Sequence, residues 1–150
     1  MRPTILTAVA LAATLAAPAL AADAVETRAV VLENGMKVLL TSDPELDRSA
    51  AALSVEVGSM DNAGVDGLAH FLEHMLFLGT AKYPDSADYK DYLAQNGGSS
   101  NAYTAEEHTN YHFEVRTEAF EGALDRFSRF FIDPLMTDAL SEREVNAVDS

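Results

Sequence analysis

The sequence has no cysteine and no tryptophan, and only 10 Lys and Arg against 24 Asp and Glu in 150 residues. Without cysteine there are no disulfides, thiolate zinc sites or cysteine nucleophiles, so any metal must be held by His and carboxylate. The shortage of basic residues leaves a formal charge of −14, which opposes binding to nucleic acid or anionic lipid. A peptide partner is compatible with it. What is present, 48% hydrophobic and 23% charged residues, is the balance of a folded domain. One domain is the ceiling at this length, and it can bury about two-thirds of its unfolded surface without covalent staples.

Arg2 precedes an uncharged run from Ile5 to Leu20, rich in Ala, Leu, Val and Thr, which closes on the small-x-small pattern Ala19-Leu20-Ala21. Residues 1–21 therefore read as a secretory signal, with an uncleaved anchor as the alternative, and the mature chain starts near Ala22. Removing the leader takes the charge from −14 to −15, since Arg2 is its only charged residue. The expected location is periplasmic or secreted, with no membrane contact beyond the signal segment.

From Thr27 the chain alternates toward a β pattern to Glu33, turns at Asn34-Gly35, and resumes from Met36 to Thr41 as the second arm of a hairpin. A third strand is expected over Ala50 to Val57, with Leu53, Val55 and Val57 on one face. The period then changes to helical, with Asp66 in the N-cap position, Leu68, Phe71, Leu72, Met75, Leu76 and Leu78 apolar, and Gly79 as the stop. Ser86 to Gln95 predicts a short helix capped by Ser86, and Ser99 to Thr104 with Asn110 to Arg116 predicts a second hairpin. Phe120, Leu124, Phe127, Phe130 and Phe131 have helical spacing before Pro134, and Leu140, Val145 and Val148 begin another amphipathic run. The expected class is α+β, a mixed or antiparallel sheet packed against helices.

His70-Phe71-Leu72-Glu73-His74 lies inside the first predicted helix. At about 100° per residue, two imidazoles four apart sit about 40° from each other and about 6 Å along the axis, so they converge on one point. Zinc takes neutral imidazole, and a hydrolytic site keeps a position open for water, whose pKa the metal lowers toward about 7. Glu73 stands beside that position and can take the proton. The order H-x-x-E-H is the reverse of the H-E-x-x-H zinc helix and is itself a metallopeptidase signature. The bland alternative is two unrelated His on a helix face with Glu73 in solvent. Phe71, Leu72, Met75 and Leu76 are expected to form an apolar bed that holds the ligand rotamers.

The run Gly67-Leu68-Ala69-His70-Phe71-Leu72-Glu73-His74-Met75-Leu76-Phe77-Leu78-Gly79-Thr80 resembles the active-site signature of the insulinase/pitrilysin zinc metallopeptidases. Lys82-Tyr83-Pro84, Gly98-Ser99-Ser100-Asn101-Ala102-Tyr103-Thr104, Glu107-His108-Thr109-Asn110-Tyr111, Leu124-Asp125-Arg126-Phe127 and the segment from Arg143 to Ser150 extend the resemblance from about Val31 to the end. The likeness is greater to the insulysin and pitrilysin branch than to the mitochondrial processing branch. It implies an endopeptidase that degrades peptides and small unfolded proteins inside a closed chamber, with Zn2+ as cofactor, His70 and His74 as metal ligands and Glu73 as the catalytic base. It further implies that residues 22–150 are the N-terminal part of a catalytic domain truncated at its C-terminus, whose partners are peptide substrates and the remaining domains. The family's third ligand, a Glu, would be the residue after Ser150. Glu144, seven residues earlier, would share that Glu's helix face and look toward the site from one layer behind; the alternative is a surface Glu beside Arg143.

In the family, the strand bearing Asn-Ala-aromatic-Thr is a sheet edge with which substrate pairs, so Asn101 and Ala102 would be substrate-binding; an ordinary hairpin strand is the alternative. His108 and His112 raise a rival metal site, but they read as structural or substrate-side residues, since neither has the helical spacing that His70 and His74 share. Two other functional classes stay open: a non-catalytic peptide-binding or assembly subunit of the same fold, and a structural exported domain whose His pair is accidental.

Overall fold

The structure, a computed structural model, describes residues 25–61 and 63–142. The leader at 1–21, and Glu144 with the rest of 143–150, lie outside the described residues. The chain divides into two units at Pro44.

The described part of the first unit is an antiparallel hairpin of β1 (Glu26–Val31) and β2 (Lys37–Ser42), in which Glu26 faces Ser42 and Val31 faces Lys37. The turn works as its residue types require. Gly35 takes φ +86°, where a Cβ would be strained, and the Asn34 side chain accepts the Met36 N–H at 3.1 Å.

The second unit carries an antiparallel sheet in the order β3-β5-β4, built from β3 (Arg48–Val55), β4 (Ser99–Thr104) and β5 (Thr109–Arg116). Helices α1 (Leu68–Leu76), α2 (Asp88–Gln95) and α3 (Phe120–Arg129) complete it, with residues 138–142 also helical. The architecture is α+β, as expected. β5 is the central strand and alternates strictly: Thr109, Tyr111, Phe113 and Val115 are buried, whereas His112, Glu114 and Arg116 are exposed. Its inward residues meet Leu76 of α1, Tyr89 and Leu93 of α2, Phe127 of α3 and Phe130 just past its end in one core. Phe120 and Phe131 pack at its margin, so all four phenylalanines of the last helical pattern belong to the core, while Leu124 is exposed.

Several local expectations are corrected. β3 ends at Val55 and leaves Val57 45% exposed, because the chain turns there into a short 3-10 segment at Ser59–Asp61. Asp66 does not cap α1: the N-cap is Gly67 at φ +77°, with no side-chain hydrogen bond. The buried stripe of α1 is Ala69, Glu73 and Leu76, with Met75, and Leu72 is 46% exposed, so Leu72 is not part of the bed beneath the His pair. Ser86 does not cap α2 either. Ala87 holds the cap position and gives its N–H to the Asp85 carboxylate at 2.9 Å.

The helix ends are tied to one another. Gly79, at φ +113°, accepts the Leu135 N–H, and Ala81 donates to Asp133, so the exit of α1 is joined to the segment after α3. The Arg126 guanidinium lies between the Tyr83 and Tyr92 rings, 4.3 and 4.0 Å from their centroids, and its Nε donates to Asp88 at 2.7 Å.

Candidate active site

Two and a half turns of α1 carry His70, Glu73 and His74. One turn apart, the two imidazoles meet with Nε2 to Nε2 at 3.0 Å and ring planes at 80°. One ring nitrogen from each His and a Glu73 carboxylate oxygen all lie within 4.8 Å of one another. Two nitrogens on a tetrahedral zinc at about 2.0–2.1 Å would stand about 3.4 Å apart, so a small opening of the pair brings them to ligand spacing. The donor set, two imidazoles with a carboxylate beside them, fits that metal. His70 is exposed and His74 half-buried, so the pair opens to solvent.

Glu73 is only 8% exposed. A carboxylate this buried needs a donor, and the donor is Thr104 at the end of β4, whose Oγ1 gives its hydrogen to Glu73 Oε2 at 2.6 Å. Thr104 is the site residue that the sequence reading missed. The available signal was the period of two in β4, which sets Thr104 on the same face as Ala102 and Ser100. Tyr111 of β5 is a second neighbour: burial, and then the negative charge of Glu73, push its phenol up to about 12.

The rim that presents Thr104 is clasped by the segment leading into α1. Ser59 and Met60 donate their N–H groups to the carbonyls of Ala105 and Glu106, each at 2.9 Å, and Thr109 Oγ1 donates to Val57 O at 2.9 Å. Gly58 permits this approach, since a Cβ there would stand 2.5 Å from the Ala105 and Glu106 backbone.

Asn101 and Ala102 lie on β4 at three and two residues from Thr104. β4 pairs only with β5 among the described residues, so it is an edge. Ala105 N–H donates to His108 O, and the alternation of an antiparallel ladder then turns the main-chain groups of Ala102 and Thr104 outward and those of Asn101 toward His112. Asn101 is exposed and Ala102 half-buried. His108 and His112 do not join the His70 pair. His108 stands beside the Tyr103 hydroxyl and His112 beside Asn110 on the outer face of β5. The one candidate metal cluster among the described residues is His70, Glu73 and His74.

His70, Glu73 and His74 thus form a carboxylate–imidazole cluster that could hold a metal ion, on a helix beside the end of an edge strand. Residues 37–150 match the family model described as Insulinase (Peptidase family M16). The human insulin-degrading enzyme is 56% identical over 126 residues, covering 83% of this chain and 12% of that protein. Its Drosophila melanogaster counterpart is 59% identical over 129 residues, covering 85% and 13%. In three dimensions the chain is similar to the crystal structure of pitrilysin, with TM-score 0.78 and 44% identity over 84% of this chain and 14% of that one. The chain belongs to the insulinase family of peptidases, and it spans about one eighth of the length of these relatives.

Proposed function

We propose that this chain supplies the zinc-holding and proton-transferring residues of an insulysin/pitrilysin-like zinc metalloendopeptidase that degrades peptides and small unfolded proteins. The observation that carries the reading is the convergence of the His70 and His74 Nε2 atoms beside a buried Glu73. His70 and His74 would hold the metal, with a third ligand supplied from outside the described residues and Glu144 behind it. The chemistry zinc supplies when bound is a lowered water pKa and a polarised carbonyl. Glu73 takes a proton from the attacking water and passes it to the leaving amine. The exposed edge of β4 aligns the substrate as an added strand, in which Ala102 offers outward main-chain groups and Asn101 an exposed side chain. Residues 1–21 would export the protein to the periplasm or beyond, and residues 22–150 would act with further domains of a longer protein.

The test is Glu73→Gln in the full-length enzyme. Zinc content should be unchanged, while peptide cleavage falls by about a hundredfold to ten-thousandfold. Cleavage that survives, or zinc lost in parallel with activity, overturns the role of Glu73.

A further inference from the structure

We infer that Thr104 is a positioning residue for the reaction: its hydroxyl holds the Glu73 carboxylate in one orientation beside His70 and His74. The inference rests on the reading of Glu73 as the base and adds the group that aims it. Among the described residues, Thr104 is the hydrogen-bond donor to that carboxylate, and the 2.6 Å separation is that of a hydroxyl giving its hydrogen to a charged oxygen. A free Glu side chain samples many rotamers, and one that must hand over a proton is useful in few of them. Binding one oxygen restricts the search while leaving the other oxygen for the proton.

The donor is itself held. Thr104 is β-branched on an extended strand, which limits its χ1. It closes β4 directly opposite Thr109, which is buried and bonded to Val57 O. The next two carbonyls, of Ala105 and Glu106, are gripped by Ser59 and Met60 on the path into α1. The base and its donor are therefore fixed to each other through two routes, the direct hydrogen bond and the clasp at Gly58, although 31 residues separate them in sequence. A threonine serving only to pack would not need its hydroxyl at the carboxylate.

The experiment compares Thr104→Val, Thr104→Ala and Thr104→Ser in the full-length enzyme, with Glu73→Gln alongside, by kcat, KM and zinc content. The two variants without a hydroxyl should lose about tenfold to a hundredfold in kcat with KM and zinc unchanged, and Ser should recover most of the loss. Activity that follows side-chain volume instead of the hydroxyl, with Ser no better than Ala, overturns the inference, as does wild-type kcat in Ala or Val. If Val fails to fold, the Ser and Ala pair decides. A Glu73→Gln enzyme that still cleaves sinks the base itself, whereas an inactive Glu73→Gln beside a fully active Thr104→Ala sinks only the positioning role.

Discussion

Glu73 and Tyr111 share one buried neighbourhood, and it changes what the phenol can do there. A phenol kept from water, and then beside a carboxylate, resists ionisation, which is why Tyr111 is pushed up to about 12 from its ordinary 10. Burial raises Tyr89 in the same direction. Below pH 10 the folded and unfolded chains both keep the Tyr111 proton, and its contribution to stability is whole. Between about pH 10 and 12 the unfolded chain releases the proton while the folded chain retains it, so stability falls as pH rises through that window. Tyr111→Phe should therefore move the alkaline unfolding midpoint upward, read by circular dichroism together with tyrosinate absorbance. A midpoint that stays in place would refute the assignment. At this scale His70, Glu73 and His74 were legible because their spacing is a property of one helix. Thr104 was not, because the period of two in β4 gives the face of its side chain but not the partner, 31 residues away, that its hydroxyl meets.

Among the elements, β5 is the easiest to read from sequence and α1 the hardest. β5 alternates because one of its faces is packed under three helices and the other is open, and a period of two follows directly. The apolar residues of α1 surround more of its circumference than one packed face needs, so hydropathy alone pointed to Leu68 and Leu72, both exposed, and passed over Glu73, which is buried. Its start was misplaced for a related reason: Gly67 enters the left-handed region and opens the helix without a capping side chain, which an Asp one residue earlier made easy to overlook. The pairing of α2 with α3 also depends on contacts that composition does not announce. Arg126 of α3 reaches Asp88 of α2 and is sandwiched by Tyr83 and Tyr92, an arrangement that needs a planar guanidinium. Arg126→Lys should cost about 1–2 kcal/mol in urea denaturation, since the ammonium keeps the charge but loses the stack. An unchanged midpoint would show that the sandwich contributes nothing.

At the scale of the whole chain, the two units differ in how much they bury. Leu39 of the first hairpin is 70% exposed, whereas Val115 in the second unit is wholly buried. A two-stranded hairpin with exposed faces is marginal by itself, so in the 150-residue chain the β1 and β2 amides should exchange with solvent at least about a hundredfold faster than those of Tyr111, Phe113 and Val115. Equal protection would mean that the hairpin folds as one body with the rest. The missing cysteines were enough to confine a metal to imidazole and carboxylate, and local periodicity was enough to place both hairpins, the three helices and the His pair on one helix face. These are properties of neighbours along the chain, and short-range geometry determines them. Which side of α1 is buried, that β5 lies between β3 and β4, and that the end of β4 delivers a hydroxyl to Glu73 were decided only by tertiary packing. Each depends on surfaces distant in sequence competing for the same core.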